Sequence, residues 1–311
     1  MYLNASNIVF FSQGCSKMRE NRAAFASCWD LISRKVLPAG VRRVLWHAVS
    51  GAAEWKTRWH LAGIRRKAWN QKPGTIVSFL NYSVRINDGP NFYTLYKDIF
   101  IHRIYHFEAQ RPDPLILDCG SNIGMSILYF KHIYPRARVI GFEPDPAIFP
   151  YLEENVARNG LKDVQLVQAA LATREGVLTF YSDGKYGSCL AEHRPADIPA
   201  GWTRYEVPCV RLRDYLTEPV DFLKMNIEGA EWEVLEDSAD SLRKVREMVI
   251  EYHHLPGLPR TLHKILELLH EQGFEYLVND FDSETNGAVR PPFRLTPSTR
   301  YYLLIYARRV E

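Results

Sequence analysis

Paired cysteines are missing from this sequence. Its five, Cys15, Cys28, Cys119, Cys189 and Cys209, are scattered without a Cys-x-x-Cys pair. An odd, unpatterned set argues against a disulfide frame and a zinc site, and for a reducing compartment. No apolar run approaches the roughly 18–20 residues that a membrane span requires. The opening "MYLNASNIVFFSQGCSKMRENR" holds only the short run "IVFF", with no basic stretch before it, so it does not read as a secretory signal. Cytoplasm is the expected compartment. There is no internal repeat and no low-complexity tract.

What is present is unevenly distributed. The 311 residues carry a net charge of +3. Residues 1–75 hold 13 Lys and Arg against 3 Asp and Glu, so the rest of the chain is net acidic. Five of the seven tryptophans (Trp29, Trp46, Trp55, Trp59, Trp69) lie in that same stretch. Residues 1–74 therefore read as a helical, basic N-terminal region, separate from a domain over 75–311. Basic helices with Trp lie at anionic interfaces, so residues 1–72 are expected to dock an anionic membrane face or an acidic carrier, or to form an oligomer contact. Helices packed on the main domain with a solvated basic face fit equally well.

After the break "KPG", "TIVSFLNYSVRI" (75–86) alternates like a strand and "NDGPN" is a turn. "FYTLYKDIFIHRIYHFEAQ" reads as a helix stopped by "RPDP". From 115 onward the pattern becomes regular. "LILDCG", "ARVIGFEP", "VQLVQAAL", "VDFLKMNIEG" and "REMVIEYHH" are five strands. Between them run helices over "NIGMSILYFKHIY", "PAIFPYLEENVARNG" and "AEWEVLEDSADSLRKV". "GVLTFYS" and "YEVPCVRL" are additional strands around a Gly/Ser-rich loop. After the helix "LHKILELLHEQG" come two last strands, "FEYLVND" and "RYYLLIYARR". Alternating strands and helices predict right-handed βαβ units and a doubly wound, mostly parallel α/β sheet. The final two strands suit an antiparallel hairpin at one edge.

In such a sheet, ligands bind outside the strand carboxyl ends, first of all at the first β–turn–helix. Here that element is "LILDCGSNIG". Its spacing is Asp-x-Gly-x-x-x-Gly, not the Gly-x-Gly-x-x-Gly of a dinucleotide site. Asp118 stands where the dinucleotide fingerprint has its first glycine. A carboxylate there repels a pyrophosphate and attracts a cation, such as the α-amino group of an amino acid. The loop Asp118, Gly120, Ser121, Asn122 and Gly124 is thus read as a site for a nucleoside with a zwitterionic tail, a description that S-adenosylmethionine meets. Glu143, at the end of the second strand and next to Pro144, is placed to accept both ribose hydroxyls. Small Ala169 and Ala170, after the third strand, leave room for an adenine face. Asp118 and Glu143 could instead be plain capping acids, but their order on consecutive strands favours the ligand.

"ILDCGSNIGMSILYFKHIYPRARVIGFEPDP", followed by "VDFLKMNIEGAEWEVLED", resembles the FkbM-type S-adenosylmethionine-dependent methyltransferases. The resemblance covers about residues 75–309 and leaves 1–72 outside. It implies a seven-stranded Rossmann-like methyltransferase sheet. It also implies methyl transfer to an oxygen of a sugar or glycan, polyketide or related secondary metabolite. The family block carries Asp where this chain has Asn226.

A hydroxyl is a poor nucleophile at neutral pH, so a base or a metal should assist. The carboxyl ends of the fourth and fifth strands offer Asn226, Glu228, Glu231, Glu251, His253 and His254. Glu228 and His253 are expected to lie across one cleft, with His253 the likelier base because its ordinary pKa suits the task. Each also has a plainer reading: Glu228 as a first-turn acid of the next helix, His253 as a satisfied loop histidine. Glu231 and Glu233 read as solvated helix faces. No tight ligand spacing is present, so no metal site is expected. Tyr186, Ser188 and His193 in the loop 181–193 are candidates for substrate contact, although a plain surface connection is as good a reading. Rival functions are a nicotinamide oxidoreductase, opposed by Asp118, a non-catalytic S-adenosylmethionine-binding module, and an RNA methyltransferase using the basic N-terminal part. The fourth strand ends in "NIEG" and not in the Asn-Pro-Pro-Tyr type of element that grips a base amine, so nucleic acid is disfavoured.

Overall fold

The computed structural model describes residues 55–185, 187–190, 201–256, 258–280 and 300–310. Tyr186, His193 and most of the basic N-terminal region lie outside these. The chain divides into two compact units, Met1–Ala62 and Gly63–Glu311. In the first, residues 55–62 are helical. Trp55 and Trp59 pack edge to face there at 5.6 Å between ring centroids and stay largely exposed.

The second unit opens with a hairpin, β1 (Ile76–Phe79) and β2 (Tyr82–Arg85), paired antiparallel. The single strand expected over 75–86 is thus folded in two. Leu80, at φ +46°, takes the left-handed backbone the turn requires. Helix α1 (Gly89–Leu95) follows, with the Asp88 carboxylate accepting the Asn91 N–H at 2.8 Å as its N-cap. A π-helical turn over Tyr96–Ile101 ends it. The expected helix does not continue to residue 110. Arg103 sits at φ +59°, and Tyr105 and Phe107, two apart, both turn into the core.

The regular part begins at β3 (Leu115–Cys119), buried at every position. Then come α2 (Met125–Ile133), β4 (Arg138–Phe142), α3 (Phe149–Arg158) and β5 (Val164–Val167). The chain next builds β6 (Ala170–Leu171), β7 (Gly176–Ser182), β8 (Ser188–Leu190) and β9 (Thr203–Val210). It returns to the main sheet as β10 (Val220–Met225), again buried throughout, then α4 (Glu231–Asp237) and β11 (Val245–His254). The helix expected through Val245 is shorter. It gives way to a 3-10 segment, Ala239–Lys244. Helix α5 (Leu262–Glu271), β12 (Phe274–Asp280) and β13 (Tyr301–Arg309) complete the unit.

The main sheet has seven strands in the order β12-β13-β11-β10-β3-β4-β5. β13 runs antiparallel to both its neighbours, while the pairings of β11 with β10, β10 with β3, β3 with β4 and β4 with β5 are parallel. Both faces of β3 and β10 are covered, so both strands are buried throughout and mostly apolar, with Asp118, Asp221 and Lys224 as the charged exceptions. The doubly wound, mostly parallel sheet and its antiparallel edge hairpin are as expected. A second, four-stranded sheet, β6-β9-β7-β8, stands beside it. The chain winds outward from β3 to β5 on one side and from β10 to β12 on the other. The order therefore reverses between β3 and β10, and a crevice opens at their carboxyl ends.

Candidate active site

The crevice is shaped first by glycine. Gly120, just past β3, has φ +87°, and a Cβ on it would stand 1.9 Å from the carbonyl oxygen of Asn226 beyond β10. No residue with a side chain fits between the two strand ends. The loop is then sewn to the next strand: Gly120 N–H and Ser121 N–H both donate to the Phe142 carbonyl, at 3.0 and 2.8 Å. Gly124, at φ +90°, begins α2, and a Cβ there would press within 2.9 Å of Leu152.

Above this loop lies a cavity with two connected lobes. The apolar lobe, enclosing about 470 Å³ open to solvent, is walled by Phe142, Pro144, Ala169, Ala170, Phe180 and Leu190. The polar lobe is faced by Asn122, Asp145, Ser182 and Lys185. Gly120, Glu143, Ser188, Asn226 and Glu228 border both. Phe180, Ser182, Ser188 and Leu190 come from β7 and β8, so the small sheet forms one wall. Ser188, singled out in the loop 181–193, reaches the cavity.

Glu143 is almost fully buried. Its Oε2 accepts the Asn122 N–H at 2.8 Å and its Oε1 the Asp145 N–H at 2.9 Å. Burial pushes its carboxyl up to about 7, against the pull of those two N–H donors. Among the described residues each oxygen accepts one hydrogen bond and so has capacity for a second, and Glu143 borders both lobes.

Asp118 stands differently from the sequence expectation. It is 0 % exposed and does not line the cavity. Its Oδ2 takes the Ser126 hydroxyl at 2.5 Å and its Oδ1 lies 3.2 Å from Lys224 Nζ. Asp118 and Lys224 are register partners on adjacent parallel strands, so their side chains share a face. A buried carboxylate persists only when paired, and Lys224 supplies the opposite charge. Lys224 Nζ also donates to the Gly120 carbonyl, so the pair props the glycine loop from beneath. Lys224 was not among the residues expected at the site. Its signal was a lysine inside a mostly apolar, buried strand.

Beside the cavity two acid groups assemble. Asn226 Nδ2 donates to Glu251 Oε2 at 2.9 Å, and the Tyr105 hydroxyl donates to Glu251 Oε1. Burial raises the Glu251 carboxyl and, together with the Glu251 charge, the Tyr105 hydroxyl. Asn226 thereby gains a reason to be an amide, since a carboxylate there would face another carboxylate.

In the second group, Glu228 holds a left-handed backbone, φ +55°, which turns it into the cavity. Its Oε1 lies 3.7 Å from His253 Nε2, and His253 Nδ1 lies 2.9 Å from Glu231 Oε1. Glu228 and His253 therefore do meet across one cleft. Glu231 is not the solvated helix face expected of it, being 1 % exposed and also accepting the Gly229 N–H at 3.1 Å. Burial draws the His253 pKa down, but the carboxylates of Glu228 and Glu231 outweigh it and push the ring up to about 9. The two carboxylates thus favour the protonated ring, which suits His253 less well to the role of base than an ordinary histidine. Burial raises the Glu228 carboxyl, while His253 moderates the rise. Among the described residues no cluster of three His, Cys, Asp or Glu is arranged to hold a metal ion.

The family profile of the methyltransferase FkbM domain matches residues 118–276, which span the glycine loop, Glu143, Glu228 and His253. The chain belongs to the FkbM methyltransferase family. It is 30 % identical over 213 residues to the 31-O-demethyl-FK506 methyltransferase FkbM of Streptomyces tacrolimicus, covering 58 % of this chain and 80 % of that one. It is 30 % identical over 207 residues to the 2-O-methyltransferase NoeI of Sinorhizobium fredii, covering 61 % and 83 %. Among solved structures, a methyltransferase FkbM from Methylobacillus flagellatus is similar at 14 % identity with a TM-score of 0.40, covering 82 % of this chain and 60 % of that one. This methyltransferase therefore places its family-matched residues around one cavity at the strand carboxyl ends. Among its described residues no helix is long and apolar enough to cross a membrane.

Proposed function

We propose that this methyltransferase binds S-adenosylmethionine in the two-lobed cavity and methylates a hydroxyl oxygen of a sugar, glycan or secondary metabolite. The observation that carries the reading is that Glu228 borders the same cavity as Glu143, Ala169 and Ala170, with His253 behind it. The residues present fit the cofactor. The apolar lobe, with small Ala169 and Ala170, suits a flat base. Glu143 borders it with two free lone pairs for ribose hydroxyls. Gly120 removes the side chain that would block the strand ends. When bound, S-adenosylmethionine supplies an electrophilic methyl group on a sulfonium.

Everything else falls to the chain itself. Glu228, its carboxyl raised by burial, accepts the proton of the acceptor hydroxyl as the oxygen becomes a nucleophile. His253, held protonated by Glu231, orients Glu228 and keeps part of its charge compensated. The Tyr105–Glu251–Asn226 network fixes the floor beside Glu228. Positioning the hydroxyl in line contributes several further kcal/mol in reactions of this kind. An oxygen acceptor also accords with the names of the two relatives. The test is transfer of labelled methyl from S-adenosylmethionine to a panel of hydroxylated glycans and polyketides. Labelled product with an O-methyl linkage is expected. Binding of NADH with no affinity for S-adenosylmethionine would overturn the reading.

A further inference from the structure

Among the described residues that border either lobe of the cavity, Lys185 is the only cation. It belongs to the loop between β7 and β8, and its side chain is about half exposed. Its backbone, in contrast, is held from three directions. The Lys185 carbonyl accepts Asn87 Nδ2 at 2.9 Å, Asn91 Nδ2 at 3.4 Å and Asn122 Nδ2 at 3.4 Å. Its N–H donates to Asp183 Oδ1 at 2.8 Å. Behind it the Ser182 hydroxyl donates to Asp145 and accepts the Gly184 N–H. Asn87 and Asn91 are themselves buried. Asn122 belongs to the glycine loop, so the lysine is fixed directly over the nucleotide-binding turn.

Among the described residues the Lys185 ammonium has one loose ion-pair partner, Asp88 Oδ2 at 3.9 Å. A half-exposed pair at that distance contributes little and is readily exchanged. The polar lobe otherwise presents the acids Glu143, Asp145 and Glu228. Such a lobe suits the ammonium of an amino acid but repels its carboxylate, unless a cation faces that end.

The geometry points to Lys185 as the residue that receives the carboxylate of the amino-acid tail of S-adenosylmethionine, closing the β7–β8 loop onto the cofactor. This deepens the reading under "Proposed function" and rests on it. Asp118 is buried beside Lys224 and Ser126 and does not border the cavity, so recognition of the zwitterion passes to the rim. The loop's backbone anchors use the carbonyl and N–H of residue 185, so a change of its side chain leaves them in place.

Calorimetric titration of the full chain with two ligands tests this. S-adenosylhomocysteine has the tail, and 5′-methylthioadenosine lacks it. Lys185→Met is expected to bind S-adenosylhomocysteine about 10-fold more weakly, as for one lost charged hydrogen bond, and methylthioadenosine as the parent does. Lys185→Arg should retain most of the affinity for both. Equal binding of S-adenosylhomocysteine by parent and Lys185→Met overturns the inference and leaves the cofactor reading standing. Equal loss of both ligands also overturns it, because the lysine would then only hold the loop. A parent that binds neither ligand overturns both.

Discussion

As the proposed acceptor of the ribose hydroxyls, Glu143 is expected to make cofactor affinity depend on pH in a direction fixed by its surroundings. Its carboxyl is nearly buried and titrates at about 7, whereas an unfolded glutamate does so near 4.5. Only the ionised form accepts from both ribose hydroxyls while holding the Asn122 and Asp145 N–H groups. Above about pH 7 the site is ready. Below it, each unit of pH requires a proton to be removed first, at about 1.4 kcal/mol or tenfold in affinity. Near pH 5.5 the affinity for S-adenosylhomocysteine should thus be about 30-fold weaker than at pH 8.5. Binding near pH 7 should release about half a proton, visible as a dependence of the calorimetric enthalpy on buffer. Stability without ligand moves in the opposite sense. The native carboxyl holds its proton between pH 4.5 and 7 where the unfolded one has lost it, so the native state binds more protons there. Stability falls as pH rises through that window, by an amount on the order of 3 kcal/mol from this group. Neighbouring Asp145, also raised by burial, acts in the same direction. Glu143→Gln should bind weakly at every pH, with the slope removed. An affinity that is flat from pH 5.5 to 8.5, or that increases on acidification, would refute the reasoning.

Glu228→Gln should lower turnover by about 10²–10⁴-fold, as for a lost positioned base, while calorimetry finds cofactor affinity nearly unchanged. His253→Gln removes the cation that restrains Glu228, so the acidic limb of the rate profile should shift to higher pH; a shift to lower pH would contradict the arrangement. Asn226→Asp would set a second carboxylate against Glu251, a cost of about 1–3 kcal/mol that grows as pH rises, readable as a Tm difference between acidic and alkaline buffers. Lys224→Met leaves Asp118 buried and unpaired and should cost about 3–5 kcal/mol, partly recovered in the double variant with Asp118→Asn. The exposed Trp55 and Trp59 beside Lys56 and Arg58 favour an anionic surface as the partner of the first unit. Sedimentation with anionic vesicles at low salt should carry the protein down, and absence of binding would rule this out.

Fold class was legible in the sequence because hydrophobic pattern reports burial. A strand covered on both faces is mostly apolar, and β3 and β10 read that way from their residues despite Asp118, Asp221 and Lys224. The glycine loop and Glu143 were legible because the turn needs residues without Cβ and because an acid at the second strand's end has few other uses. Elsewhere pattern misled where one position decided. A left-handed Leu80 folded one strand into two, and Arg103 turned an expected helix into an irregular segment that buries Tyr105 and Phe107.

Charge was the property the sequence least determined. Asp118, Lys224, Glu228, Glu231 and His253 are all visible as letters, yet their roles depend on partners distant along the chain. Strand register put Lys224 beside Asp118, a carboxylate that does not border the cavity. Packing of α4 against β11 buried Glu231 against His253 and so favours the protonated form of a ring expected to act as a base. The loop between β7 and β8, read as a Gly/Ser-rich stretch with Tyr186, Ser188 and His193 as candidate contacts, brought an unexpected residue, Lys185, to the cavity border, its backbone held by Asn87, Asn91 and Asn122. A sequence states which groups can ionise. Which of them do, and toward what, depends on distances of a few ångströms in low dielectric, and only the tertiary structure sets those.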